Sequence, residues 1–387
     1  MERQLQLSYP YNMISALGND LNMVIEKDSP KYVQLKNYIK SIIENGDLGP
    51  GDRLYSENEL AQRFNISRHT VRQAVGELVN ENWLSRIQGS GTFVNQTIGT
   101  KKEKSGIIGV VTTYLDDYIF PGIIKGIDSI LSQEGYSIIL GHTNNNLERE
   151  AVCLQNMLEK NVDGFIIEPT KSALPNPNYQ YYEEMKKKNC PCIFINGYYP
   201  SHEGSFIIED DEMGGYLATR HLFELGHERL AGIFKVDDIQ GHGRYSGFVR
   251  AHREEGRVIP EDTITWYTTE DTQTLFTQEG SGAMLSKIKK CTGLICYNDQ
   301  ITLKVIDLLR AEGLKVPDDI SLISFDDSDL SNSGETRITT LAHPKDKLGE
   351  RAAEALLEII TGKHKTVREK IKPELIIRNS AKSVLKK

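Results

Sequence analysis

Up to about residue 95, the apolar residues follow the spacing of short helices. Between Val71 and Val79 they fall at i, i+3, i+4, i+7 and i+8, which predicts a helix that buries one face. The opposite face is polar and basic, with Arg68, His69, Arg72 and Gln73. A face of this kind is either an ordinary solvated surface or a surface for nucleic acid, and the neighbouring segments decide between the two.

A shorter helix is predicted just before the basic one. Ser56 and Glu59 have the spacing of a capping box, and Leu60 with Phe64 gives the helix an apolar side. Asn65 follows as a turn residue. Two short helices separated by a tight turn are typical of a helix-turn-helix unit.

A small hairpin is predicted after the basic helix. The glycine-rich segment Gln88 to Gly91 separates two short apolar runs, as in a wing. In such units the start of the second helix enters the major groove of DNA. Ser67 would cap that helix and bond a phosphate, while Arg68 and Arg72 match guanine edges or phosphates. The order of capping box, turn, basic helix and wing therefore favours DNA binding over a plain solvated face.

This order of motifs resembles the DNA-binding domain of GntR-family bacterial regulators. The likeness covers Lys31 to Val94 and rests on residues 54–61, 66–72 and 89–94, which are in register with the family pattern. The resemblance implies that DNA is contacted by Ser67, Arg68, His69, Thr70, Arg72, Gln88 and Gly89.

Three residues depart from that family pattern. Tyr55 stands where Pro is common, Asn58 where a basic, DNA-contacting residue is common, and Asn82 where Gly is common. The change at Asn58 removes an expected DNA contact, whereas the other two changes affect the geometry of turns.

From Gly106 onward, continuous apolar runs alternate with amphipathic helical segments. Such alternation predicts an α/β fold whose parallel sheets are covered by helices on both faces. About 280 residues follow this pattern, which is too many for one sheet of usual size, so we expect two lobes. The strand-like runs are residues 107–112, 137–140, 164–167, 193–195, 230–234, 263–267, 293–297 and 320–325.

Ligands of such sheets bind beyond the carboxyl ends of the strands. The polar and aromatic residues found there suit a ligand made of hydroxyls and C–H faces, that is, a sugar. Taken singly, each is equally compatible with a turn former or a helix cap. These residues are Thr113, Tyr114, Asp116, Phe120, His142, Glu168, Asn196, Arg244, Asn298, Asp299, Asp326 and Asp327.

Residues Gly106 to Leu375 resemble the sugar-sensing domain of LacI/GalR regulators, which is related in fold to periplasmic sugar-binding proteins. The matching segments include Val162 to Ile167, Tyr297 to Asp299 and Phe325 to Asp327. His343 stands where glutamine is common in that family. The resemblance implies effector contacts at Glu168, Asn196, Arg244, Asn298, Asp326 and His343.

A GntR-type head joined to a LacI/GalR-type body is similar to the arabinose repressor family, which the chain resembles from Lys31 onward. This resemblance implies a homodimeric repressor that binds palindromic operator DNA and releases it when a monosaccharide binds. L-arabinose is the expected effector, and another pentose or a hexose is the alternative. We expect an extension at residues 1–30, the winged-helix domain at 31–95, a linker at 96–105, and the effector-binding and dimerisation domain at 106–387.

The charge of the chain changes sign between these parts. Counting Lys and Arg against Asp and Glu, residues 31–104 carry a net charge of +3 and residues 105–387 carry −9. An acidic surface repels nucleic acid, so contact with DNA should be confined to the head.

Several classes of protein are disfavoured by the sequence. There is neither an apolar run of about eighteen residues nor a secretory signal, so we expect a cytoplasmic protein. The five cysteines lack zinc spacing, and no P-loop or nucleophile elbow is present, so we expect no metal, no cofactor and no catalysis. A sugar-handling enzyme is the alternative, because Glu168, Asp299 and His343 could supply acid–base groups.

Overall fold

The computed structural model describes residues 30–95, 104–115, 119–202 and 204–385. These residues form two compact units, a head and a body, and the body begins at Lys104. Residues 1–29 of the predicted extension, residues 96–103 of the predicted linker, and Asp116 lie outside the described residues.

The head is a winged helix-turn-helix, as the sequence predicts. Its helices bury a shared apolar cluster that includes Leu35, Val71 and Leu78. The predicted capping box is formed, because the Ser56 hydroxyl accepts from the N–H of Glu59 and the Glu59 carboxylate accepts from the N–H of Ser56 at 2.7 Å. The elements are α1 Lys31–Glu44, α2 Glu57–Phe64, α3 Arg68–Asn80, β1 Leu84–Ile87 and β2 Gly91–Val94, with β1 and β2 antiparallel.

Left-handed asparagines shape two turns of the head. Asn65 ends α2 with φ 49°, and Asn82 follows α3 with φ 59°. Asparagine adopts this region more readily than most residues other than glycine. Asn82 therefore provides the backbone conformation for which the GntR pattern commonly uses Gly.

The body consists of helices and of strands that form two sheets. No helix in the described ranges is long and apolar enough to cross a bilayer. In chain order the elements are β3 Ile107–Thr112, α4 Phe120–Leu131, β4 Ser137–His142, α5 Leu147–Glu159, β5 Gly164–Ile167, α6 Tyr179–Lys187, β6 Cys192–Ile195, β7 Ser205–Glu209, α7 Asp211–Glu224, β8 Leu230–Lys235, α8 Ile239–Glu254, β9 Ile264–Tyr267, α9 Gly282–Ile288, β10 Gly293–Cys296, α10 Asp299–Ala311, β11 Ser321–Asp326, β12 Thr339–Ala342, α11 Lys345–Ile360, β13 Arg368–Ile371 and β14 Glu374–Ile376.

Each sheet is the centre of one α/β lobe, which confirms the predicted fold class. The sheet of lobe 1 has the order β13-β7-β6-β5-β3-β4, and all of its neighbouring strands are parallel. The sheet of lobe 2 has the order β14-β12-β11-β10-β8-β9, in which only β14 runs antiparallel to its neighbour. The described chain crosses between the lobes after β7, after β12 and after β13.

Helices cover both faces of each sheet. In lobe 1, Ile108 and Val110 pack with α4 and α11, whereas Val111 packs with α5 and α6 on the other face. In lobe 2, α9 and α10 cover one face, and α7 and α8 cover the other. Burial of alternate side chains on both faces is the reason why these strands are apolar without interruption.

Four strands, β7, β12, β13 and β14, are absent from the sequence prediction. β13 and β14 are edge strands, and their residues are exposed or half-buried. A strand that is not buried on either face needs no run of apolar residues, so the pattern used for the central strands does not reveal it.

Gly126 permits the close crossing of α4 and α11. A Cβ at this position would lie 2.2 Å from the backbone oxygen of Asp346, a distance that requires the helices to move apart. We expect Gly126→Ala to lower the free energy of unfolding by about 1–3 kcal/mol. Urea unfolding followed by circular dichroism measures this loss. Gly282→Ala in α9 is the control, since a Cβ there meets no atom within 4 Å; an equal loss in both variants would contradict the explanation.

Candidate ligand cleft and DNA interface

A cleft lies between the lobes, beyond the carboxyl ends of their strands. Its space of about 590 Å³ includes the part that is open to solvent. Side chains that are far apart in the sequence meet there. The predicted effector residues that line it are Tyr114, Phe120, Glu168, Asn196, Arg244, Asn298 and Asp326, and Thr113 lines it as well.

The lobe 1 wall is centred on Glu168, which follows β5. The N–H of Thr113 donates to Glu168 Oε2 at 2.8 Å, and the Thr113 hydroxyl donates to the same oxygen. Asn196 Nδ2 donates to Oε1 at 3.0 Å. Burial raises the pKa of Glu168 to about 7, although these hydrogen bonds favour the ionised form. Near neutral pH, both protonation states of Glu168 are therefore populated.

His343 lies behind Asn196 and is not a cleft-lining residue. Its Nε2 is 3.1 Å from Asn196 Oδ1, and because Asn196 Nδ2 already donates to Glu168, that oxygen accepts from His343. Burial, together with Lys345 and Arg244, lowers the pKa of His343 to about 3, so the ring is neutral. The imidazole of His343 therefore orients Asn196, and the direct effector contact predicted for His343 stays a prediction.

His142 also lies outside the cleft. It was expected beyond the second predicted strand, but it is the last residue of β4, and β4 is an edge strand of lobe 1. Its Nε2 is 2.9 Å from Arg149 Nη2. Residues that follow parallel strands come together only where those strands adjoin the cleft, so the structure does not bring His142 to the lining residues, and its predicted effector contact stays a prediction.

The lobe 2 wall is centred on Arg244 of α8, which is 2% exposed. Its Nε donates to Asp211 Oδ1 at 2.9 Å, and its Nη1 donates to the carbonyl of Tyr297. The guanidinium lies between the rings of Phe325 and Tyr297, at 4.2 and 4.8 Å from their centroids. Nη2, 3.8 Å from Asp326 Oδ1, makes no hydrogen bond to the described residues and can donate to a ligand.

Other lobe 2 residues of the cleft are absent from the sequence prediction. Lys235 is the last residue of β8, and Asp238 and Gln240 belong to the turn and first residues of α8. All three follow the strand that was expected to present Arg244, so the strand-end rule itself contained the signal that could have identified them.

Asp238 connects the two lobes. The hydroxyl of Ser172, in lobe 1, donates to Asp238 Oδ1 at 2.9 Å and accepts from the N–H of Ile239 at 2.9 Å. Tyr297 donates its hydroxyl proton to Asp238 Oδ2 at 2.7 Å. A lobe 1 hydroxyl is therefore docked at the N-terminus of α8, where N–H groups lack helical partners.

The predicted DNA contacts lie at the start of α3 and in the wing turn. Ser67 caps α3, because its hydroxyl accepts from the N–H of Thr70 at 3.1 Å. Thr70 is half-buried. The exposed members of the predicted set are Ser67, Arg68, His69, Arg72, Gln88 and Gly89.

Glu57 belongs to this surface and is missing from the sequence prediction. Its carboxylate lies 3.1 Å from Arg72 Nη2 and 3.4 Å from Arg86 Nη2, so it connects α2, α3 and β1. Exposed ion pairs contribute only up to about 1 kcal/mol. Glu57 therefore orients the two guanidinium groups more than it stabilises the head.

Comparisons with known proteins match both units. Residues 31–94 match the model of bacterial regulatory proteins of the gntR family, and residues 219–381 match that of a periplasmic binding protein-like domain. The arabinose metabolism transcriptional repressor of Geobacillus stearothermophilus is 42% identical over 366 residues, which cover 93% of this chain and 100% of that protein. The repressor of the same name from Halalkalibacterium halodurans is 43% identical over 341 residues, which cover 87% and 90%.

A solved structure resembles the body. It is a LacI family transcriptional regulator from Enterococcus faecium with bound ribose, with a TM-score of 0.60 and 27% identity. The alignment covers 72% of this chain and 100% of that protein. The two-lobed body therefore has the fold of that regulator.

The pKa of Glu168 has a consequence for stability. A carboxyl group whose pKa rises from 4.5 to about 7 on folding favours the folded state below pH 4.5, and this advantage is lost as the pH rises through 7. Glu168→Gln does not titrate. We therefore expect its free energy of unfolding to fall less than that of the wild type between pH 5 and pH 8, by on the order of 2 kcal/mol.

Urea unfolding at pH 5, 6, 7 and 8 measures the difference between Glu168→Gln and the wild type. Glu279→Gln, at an exposed position, is the control and should follow the wild type at every pH. Parallel curves for Glu168→Gln and the wild type would show that Glu168 does not titrate in this range.

Proposed function

The chain belongs to the family of arabinose metabolism transcriptional repressors, and on that premise we propose that it binds operator DNA and releases it when a monosaccharide enters the cleft. L-arabinose is the effector that we propose. The observation that carries the proposal is the combination, in one chain, of a gntR-type head with a cleft between two lobes, over the full length of such a repressor. Because its target is chromosomal DNA, we place the protein in the cytoplasm.

DNA binding is assigned to the head. The exposed basic residues at the start of α3 and the net charge of +3 for residues 31–104 support this, since phosphate contacts dominate affinity for DNA. Residues 105–387 carry −9 and would repel a duplex. In a homodimer, two heads would bind palindromic half-sites about 34–36 Å apart, one turn of the double helix.

The charges in the cleft favour a neutral ligand. The cations of Lys235 and Arg244 are balanced by the carboxylates of Asp238 and Asp326, and Glu168 adds an acceptor of variable charge. A sugar acid or a sugar phosphate would meet three carboxyl groups. Hydroxyl groups both donate and accept, so they can use the donors of lobe 2 and the carboxyl group of lobe 1 together.

We propose that the sugar is bound without chemical change. Of the three acid–base candidates, His343 is neutral and lies behind Asn196. Asp299 is buried and accepts hydrogen bonds from Ser328 and from Thr340. Glu168 alone of the three lines the cleft, which leaves no second acid–base group of this set beside it.

Release of DNA requires that the sugar bind the DNA-incompetent form more tightly. A sugar that contacts both lobes stabilises one arrangement of the lobes, and in a dimer that arrangement changes the placement of the heads. A coupling free energy of about 1–3 kcal/mol is ordinary for such linkage and corresponds to a change in DNA affinity of roughly 5- to 150-fold.

The experiment uses duplex DNA selected by the full chain from a random pool. Fluorescence anisotropy then measures the affinity for the selected duplex at fixed salt while L-arabinose is added. We expect the affinity to fall within the range given above. An affinity that does not change with L-arabinose would reject it as the inducer.

Single substitutions should separate the two sites. Arg72→Ala removes a predicted DNA contact and should weaken DNA binding by about 10-fold or more while sugar affinity, measured by calorimetry, stays unchanged. Gln240→Ala should do the reverse, because the Gln240 amide lines the cleft and makes no side-chain hydrogen bond to the described residues. If either variant loses both activities to the same degree, the assignment of two separate sites is wrong.

A further inference from the structure

Lys235 places a charged amine in the wall of the cleft. It is the last residue of β8, and its side chain is 11% exposed. The nearest carboxylate oxygen is Asp238 Oδ2, at 3.7 Å from Nζ, which is an ion-pair distance and too long for a hydrogen bond. The ammonium group makes no hydrogen bond to any residue that the structure describes.

The neighbours of Lys235 keep it charged. Burial lowers the pKa of Lys235, but the carboxylates of Asp238 and Asp237 outweigh this effect, and the pKa is raised. Glu168, on the opposite lobe, acts in the same direction. A charged ammonium group has three N–H donors, and donors in a protein interior nearly always have acceptors.

Asp238 is already engaged by other donors. Its Oδ1 accepts from the hydroxyl of Ser172 at 2.9 Å and from the N–H of Gln240 at 3.3 Å. Its Oδ2 accepts from the hydroxyl of Tyr297 at 2.7 Å. Asp238 is thereby fixed by both lobes and by α8, so it balances the charge of Lys235 while the N–H donors of Lys235 stay available to a ligand.

We propose that Lys235 donates a hydrogen bond to one hydroxyl oxygen of the bound sugar and thereby selects the effector. This inference rests on the proposed function, since it requires a sugar in the cleft. Lys235 belongs to lobe 2 and Glu168 to lobe 1, so a sugar held by both connects the lobes. The acceptor is a hydroxyl group, because an anionic group would also face Asp238, Asp326 and Glu168.

A purely structural role for Lys235 makes a different prediction. If the ammonium group only neutralises Asp237 and Asp238, its removal changes the cleft as a whole and weakens all ligands alike. If it bonds one hydroxyl, its removal costs nothing for a sugar that lacks this hydroxyl. Monodeoxy sugars therefore distinguish the two roles.

The test is isothermal titration calorimetry on the full chain with L-arabinose, D-xylose, D-ribose, D-galactose and the monodeoxy derivatives of each. The variants are Lys235→Met, which keeps an apolar chain without the charge, and the control Lys287→Met. Lys287 is a partly buried lysine of lobe 2 whose Nζ donates to the carbonyl of Ile264 at 2.6 Å, and it does not line the cleft. Thermal unfolding of each variant verifies that it is folded.

We expect Lys235→Met to weaken binding of the sugar that the wild type prefers by about 10- to 100-fold, the loss for a hydrogen bond from a charged donor. One monodeoxy derivative of that sugar should bind the wild type and Lys235→Met equally well. Lys287→Met should behave as the wild type. An equal loss for the sugar and all of its monodeoxy derivatives, or no loss at all, overturns the proposal.

Two further outcomes separate this inference from the proposed function. If the wild type prefers another sugar of the panel and one of its monodeoxy derivatives is insensitive to Lys235→Met, L-arabinose is wrong and the role of Lys235 stands. If the wild type binds no sugar of the panel, both proposals fail.

Should Lys235→Met not fold, Lys235→Arg replaces it. Lys235→Arg must then change the order of affinities among the monodeoxy derivatives, and an unchanged order rejects the proposed role of Lys235.

Discussion

A buried positive charge fixes the geometry of lobe 2. Arg244 is 2% exposed, and a guanidinium group without partners at such burial would cost several kcal/mol. Its partners come from separate parts of the chain: Asp211 at the start of α7, Tyr297 after β10, and Asp326 at the end of β11. These three parts of the chain must therefore come together around the guanidinium group before its charge is balanced and its hydrogen bonds are formed. The cleft is the open side of that arrangement, so the lobe 2 groups that line it are placed by the partners of the buried charge.

Two segments that connect the lobes contact or contain partners of Arg244. Asp211 follows the crossing after β7, and Lys345, in the crossing after β12, donates from Nζ to the carbonyls of Asp326 and Asp327 at 2.6 and 2.9 Å. Asp326 and Asp327 have φ values of 98° and 44°, a backbone conformation that costs on the order of 1–3 kcal/mol and needs such support. Arg244 and Asp326 of the cleft therefore lie next to segments that connect the two lobes.

The features that the sequence predicts are those that depend on the spacing of residues close together in the chain. The capping box at Ser56, the basic helix and most of the strands depend on residues close together in the chain, and these were predicted. Strands β7 and β12 were not predicted, although both lie inside their sheets. β13 and β14 depend on pairing with β7 and β12, so no local pattern marks them. In the candidate site, Lys235 directly follows the predicted strand, where ligands of such sheets bind, so the sequence contained the signal for it although the prediction left it out. His142 does not line the cleft because β4 is an edge strand. The order of the strands within a sheet cannot be read from their order along the chain.

The lobes contact each other through the hydrogen bonds of Ser172 with Asp238 and Ile239 and through an ion pair of Lys171 with Glu270. The ion pair of Lys171 with Glu270 is formed by a side chain that is 66% exposed, and such pairs contribute up to about 1 kcal/mol. Moving a two-state equilibrium from 1:99 to 99:1 requires about 5.5 kcal/mol of differential affinity. A few hydrogen bonds to charged groups supply this, at about 1.5–3 kcal/mol each, but only if they form in one arrangement of the lobes and not in the other. A sugar held by lobe 2 alone would bind both arrangements equally and shift nothing. An effector that shifts the equilibrium must therefore contact both lobes, and a cleft whose opposite walls offer an acceptor and donors allows such contacts.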